Sequence, residues 1–86
     1  MKYEKMPVAE PYLRDGKAML EAMALLEEAG ADVRRPIGNR HQLKLSADLS
    51  YYPSTGSIVI DGDDSACSEK GVVALLCLLR ARGEIR

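Results

Sequence analysis

The chain holds 86 residues and carries 12 Lys and Arg against 13 Asp and Glu, a formal net charge of -1. That length allows one small domain, and the balance of charge excludes a protein that coats nucleic acid by bulk charge or an acidic disordered tail. Apolar residues make up 47% of the chain, the level of a folded domain, yet it has no Phe and no Trp, and its 4 aromatic residues are all Tyr, so a core must be built from Leu, Ile, Val, Met and Ala.

Residues 1–14 read as an N-terminal arm ahead of a single domain over 15–86. Pro7 and Pro11 cannot donate backbone hydrogen bonds and make the arm irregular, while Tyr3, Met6, Val8, Tyr12 and Leu13 give it apolar groups with which to dock. The stretch lacks the apolar segment of a secretion signal. Asp15 offers a helix N-cap. From Lys17 to Ala29, Met19, Leu20, Ala22, Met23, Leu25 and Leu26 recur at helical spacing around a polar stripe of Lys17, Glu21 and Glu28, and Gly30 supplies a stop.

The period then changes. Val33 among polar neighbours makes Ala31–Arg35 a short candidate strand, closed by Pro36 and a turn at Gly38-Asn39. His41, Leu43 and Leu45 alternate with Gln42 and Lys44, which places His41 in the phase of the leucines. Leu49 and Tyr51 alternate with Ser50 and Tyr52. Pro53-Ser54-Thr55-Gly56 is a turn by composition, and Ile58 and Ile60 complete a hairpin. Ser65 or Ser68 can cap a second helix that runs to about Arg82, with Gly83 behind it. The fold expected is α+β, an α-β-β-β-α two-layer sandwich with both helices on one face of a small antiparallel sheet. Val72, Val73, Leu75, Leu76, Leu78 and Leu79 cover nearly the whole circumference of the second helix. Such a helix needs cover on more than one side, so its residual apolar surface suits a partner chain or a homodimer.

Cys67 and Cys77 fall ten positions apart on one expected helix, which at ~1.5 Å per residue separates their Cα atoms by roughly 15 Å, too far for a disulfide. Two free thiols favour a reducing compartment, and the longest apolar run, Val72–Leu79, is less than half a membrane span. The expectation is a soluble, cytoplasmic protein that makes no membrane contact.

Arg34, Arg35, Arg40, His41 and Lys44 fall in one short window in which most of the charge is positive. Arginine forks suit phosphate, although short edge strands also carry solvated Arg and Lys. His41 is either a hydrogen-bonded structural imidazole or a general acid or base. In Tyr51-Tyr52-Pro53, strand alternation sends Tyr51 to the core and leaves Tyr52 on the open sheet face beside Gln42 and Lys44, where a ring can stack on a base or meet a protein. Asp61-Gly62-Asp63-Asp64-Ser65 has the opening of a calcium loop, but Ala66 and Val72 stand where that loop needs Gly and Glu. The two cysteines have no CxxC spacing. Neither a metal site nor a cofactor is expected.

Leu25-Leu26-Glu27-Glu28-Ala29-Gly30, Arg34-Arg35 and Gly38-Asn39-Arg40-His41-Gln42-Leu43-Lys44 together resemble the front half of a HicA-type toxin. Those proteins are small ribonucleases with a fold similar to the double-stranded-RNA-binding domain. The family's Gly-Ser-His stands here as Gly38-Asn39-Arg40-His41, one residue longer and without the serine. The resemblance implies the helix–sheet–helix order and, for His41, a role in RNA cleavage.

Three functions fit these residues. The leading one is a non-enzymatic binding module that contacts nucleic acid or another anionic surface through its sheet face, with Arg35, Arg40 and Lys44 supplying charge and Gln42 and Tyr52 stacking and hydrogen bonds. The second is a protein-interaction or inhibitor domain of the phage or mobile-element type, acting as a dimer. The third is a HicA-like ribonuclease that uses His41.

Overall fold

The computed structural model describes residues 3–10, 15–36, 38–60 and 70–85. The first helix, α1, spans Lys17–Glu28 and turns Met19, Ala22, Met23 and Leu26 inward. This is the stripe its spacing predicts. At its end Ala31 donates to the Leu26 carbonyl and Gly30 to that of Glu27, both at 3.0 Å. This double closure needs a left-handed residue, and Gly30 supplies it at φ 88°. The start differs from expectation. Gly16 is the N-cap and no side chain caps the helix, because the Asp15 carboxylate is bound to Arg35 instead.

The sheet is antiparallel, in the order β1 (Leu43–Ser46), β2 (Leu49–Tyr52), β3 (Ser57–Ile60). Leu43, Tyr51 and Ile58 stand opposite one another in register, and all three are buried on the helix side. Tyr51 is therefore the core ring that its phase predicts. β1 is irregular between Lys44 and Ser46. The expected strand over Ala31–Arg35 shrinks to one bridging residue, Arg34, which pairs with Lys44 on one side and Val8 on the other. Pro36 ends the segment before a longer ladder can form.

The described part of the arm, which opens with the 3-10 turn Tyr3–Lys5, thus lies against the sheet edge. Ala9 donates to Val33 O at 2.9 Å and Arg35 to Pro7 O at 3.1 Å. One transverse row runs Val8, Arg34, Lys44, Ser50, Val59. Of the arm's apolar groups, Met6 is buried and Val8 exposed, while Tyr12 and Leu13 lie outside the described residues.

The second helix, α2, spans Val72–Ala81 and buries only Leu75 and Leu79. They join the α1 residues, Leu43, Leu45, Leu49, Tyr51 and Ile58 in one core. The helix starts at Gly71, and Gly71 donates to Gly56 O at 2.9 Å, which fastens the start of α2 to the β2–β3 turn. The acidic segment, Ser65, Ser68 and Cys67 lie outside the described residues. Among the described residues, no helix is long and apolar enough to cross a membrane. The architecture is the small α+β fold expected, two helices against a three-stranded antiparallel sheet.

Candidate functional site

Arg35 marks the largest departure from the expected basic surface. It is fully buried. Its Nη2 lies 2.6 Å from Asp15 Oδ1 and its Nη1 2.7 Å from Asp15 Oδ2, a two-point fork with both side chains almost sealed from solvent. The same guanidinium donates to the carbonyls of Glu10 at 2.9 Å and Arg40 at 2.8 Å. Arg35 thus joins the arm, the start of α1 and the turn before β1. A charge so enclosed needs this many acceptors to offset its desolvation. It is not presented to a ligand.

Lys44 is also inside, 6% exposed, with Nζ donating to Ala47 O at 3.3 Å. Its place in the middle of the transverse row, between Arg34 and Ser50, keeps its stem against the sheet. Arg34, half-buried, donates from Nε to Asp32 at 2.9 Å and from Nη1 to the Met6 carbonyl at 2.9 Å, and lies 5.6 Å from the centroid of the Tyr3 ring. Tyr3 in turn donates its hydroxyl to the Asp32 carbonyl, with Leu45 O at 3.3 Å. Burial, followed by the Asp32 charge, pushes the Tyr3 phenol up to about 12.

Gln42 and Tyr52 are half-buried on the open face, and Gln42 Nε2 donates to Ser50 Oγ at 2.9 Å. The face therefore offers one tyrosine and one amide, while its lysine is enclosed. His41 is not in the leucine phase. The strand begins at Leu43, and His41 sits exposed in the preceding turn, its backbone N–H held by Asn39 Oδ1 at 3.1 Å. Asparagine closes such turns through its own side chain, and this pulls His41 out of the ladder.

Arg40 and His41 border a cleft of about 100 Å³ with Asp15, Gly16, Ala18, Met19 and Ser54. At roughly 30 Å³ per water, that is room for a few waters or one small anion. Arg40 approaches Asp15 Oδ1 at 3.7 Å with 45% of its side chain exposed. Among the described residues, no cluster of His, Cys, Asp or Glu could hold a metal ion.

The pairing of charge is general. Besides Arg34, Arg35 and Arg40, Arg82 meets Asp48 at 2.6 Å and Glu84 at 2.9 Å, and Lys17 meets Glu21 at 3.7 Å. The Ser46 hydroxyl and then Arg82 hold the Asp48 carboxyl below its ordinary value. What the helices leave outside is apolar. Val73 is 71% exposed, Leu20 43% and Leu25 42%, and Cys77 carries an exposed free thiol. The chain matches no known family model, no curated protein and no solved structure.

Proposed function

We propose that the chain is a small non-enzymatic binding module that works by protein–protein contact through the outer face of its two helices. The carrying observation is α2. Its ten residues are hydrophobic almost throughout: Leu75 and Leu79 are fully buried, Val72, Ala74, Leu76 and Leu78 pack half-buried against the core, and Val73 and Cys77 point outward. With Leu20 and Leu25 of α1, these are apolar groups left in water, which on a domain this small costs solubility unless a partner covers them. The basic residues argue in the same direction. Arg34, Arg35 and Arg40 face carboxylates and Lys44 lies inside, which reduces the electrostatic footprint that nucleic acid requires. The exposed free thiol of Cys77 suits the reducing cytoplasm.

A photo-crosslinking amino acid at position 73, introduced in producing cells, tests this reading. A discrete protein adduct is expected at position 73 and none at Lys17. No adduct, together with tight RNA or DNA binding that falls steeply with salt, would overturn it. The cleft beside Arg40 and His41 favours a second reading, contact with a phosphate-bearing surface or, on the likeness to HicA-type toxins, RNA cleavage by His41. His41→Ala decides the latter, since cleavage that survives the substitution removes the histidine from the chemistry.

A further inference from the structure

Arg35 ties three segments of the chain into one unit. Its terminal nitrogens carry two hydrogens each. Nη1 donates to Asp15 Oδ2 at 2.7 Å and to the Glu10 carbonyl at 2.9 Å, and Nη2 donates to Asp15 Oδ1 at 2.6 Å and to the Arg40 carbonyl at 2.8 Å. The carboxylate takes the inner pair of hydrogens. The two carbonyls take the outer pair, on opposite flanks of a rigid plane. Glu10 belongs to the arm. Asp15 and Arg40 border the cleft, one on the α1 side and the other in the turn that carries His41.

The arm is the loosest of the three. Of residues 5–10, Met6 and Ala9 alone are buried, and a single bridge, Val8 to Arg34, joins them to the sheet. Polar bonds from Ala9, Arg34, Arg35 and Tyr3 complete the hold. Local opening starts in segments that bury so little apolar surface. When the arm lifts, Nη1 loses the Glu10 carbonyl at a site without solvent access. Met23 Sδ, 4.0 Å away, is too weak an acceptor to replace it. A buried cation with an unmet donor is costly, so the plane tilts toward a new acceptor or water enters. Either motion draws Nη2 off the Arg40 carbonyl, and the cleft loses the link that holds its two sides together.

We infer that the N-terminal arm is a strap that holds the cleft beside His41 narrow while docked and lets it widen when displaced, with Arg35 as the link. The coupling is reciprocal. A ligand that fits only the narrow cleft fastens the arm, and a partner that grips the arm widens the cleft. It holds whatever meets the helix face.

Amide NMR spectra and native-state hydrogen exchange on the full chain test the link from both ends. Two substitutions loosen the arm. Tyr3→Phe removes a hydroxyl that donates to the Asp32 and Leu45 carbonyls, and Ala9→Asp puts a charge where Ala9 is buried. Neither residue lines the cleft. The Gly16, Arg40 and His41 signals should move along one line, from parent to Tyr3→Phe to Ala9→Asp, in step with the loss of protection at the amides of positions 9 and 35. From the other end, Asn39→Ala removes the bonds to the His41 N–H and the Gln42 side chain that shape the turn. Exchange at Ala9 and Arg35 should then rise about tenfold, within the ~5–150-fold span of coupled sites. Arg82→Ala, which releases Asp48 and Glu84, should change neither set by more than about twofold, as distant sites act independently. Cleft signals that keep their parent positions while the arm loosens would overturn the strap, and so would unchanged arm exchange in Asn39→Ala. An equal rise in Arg82→Ala marks general loosening and overturns it as well. Should Ala9→Asp fail to fold, Tyr3→Phe and Asn39→Ala still decide.

Discussion

Arg35 and Asp15 show how a residue meant for a surface by its chemistry becomes internal by its neighbours. With both side chains sealed, removing one partner strands the other, at a cost of about 3–5 kcal/mol. Asp15→Asn should lower unfolding stability by that amount in urea titration, and Arg35→Lys should follow it, since an ammonium cannot reach both carboxylate oxygens and two carbonyls at once. Arg40→Ala, at the half-exposed edge of the same carboxylate, should cost less than about 1 kcal/mol. Nothing in the sequence links positions 15 and 35. An arginine before a proline and an aspartate before a helix each have a common local explanation, and the pair exists only once the chain has turned back on itself. Tyr3 gives a pH test at the same scale. Its phenol is raised from an ordinary 10.0 to about 12, so the folded state favours the protonated form. That contribution is complete below pH 10 and is lost as pH rises through about 12. Ultraviolet titration should show one tyrosine ionising near 12 with loss of arm docking, and Tyr3→Phe should remove that step.

At the scale of elements, the helices were legible because 3.6-residue periodicity survives any packing, and the alternation around Tyr51 was legible for the same reason at period two. The N-terminal arm's place at the sheet edge was not legible, because one bridged residue leaves no alternating pattern to read. The position of His41 was misread because Asn39, two residues earlier, decides it through a side-chain bond. The junction between β3's hairpin and α2 depends on one glycine. Gly56 has φ +75°, and a Cβ there would meet the Gly71 backbone nitrogen at 3.1 Å and its Cα at 3.4 Å. Gly56→Ala should therefore destabilise by about 1–2 kcal/mol from the left-handed backbone alone, with the crowding added. Thermal unfolding would register the loss, and an unchanged midpoint would show that the start of α2 shifts freely.

For the whole molecule, the expected basic sheet face and the apolar second helix had different fates for a physical reason. A small domain has little interior, and cations near its centre are drawn into pairing with carboxylates, whereas surplus aliphatic surface on a short helix has nowhere to go. Of the residues expected to bind, Arg40 and His41 lie together at the cleft, Gln42 and Tyr52 lie on the open face, and Arg35 and Lys44 are enclosed. That separation divides what was a single expected site.

The row from Val8 to Val59 has one more implication. On the β1 side the boundary of the sheet is the N-terminal arm, held through Arg34 and the Tyr3 hydroxyl. Once alkali ionises that hydroxyl and the arm departs, the backbone of Val33–Arg35 is left as an open margin with its donors and acceptors unmet. A second molecule's strand, or its displaced arm, fits there as well as the original did. High pH should thus open this side of the sheet to strand addition, with domain exchange or fibrous aggregation as the failure expected under base.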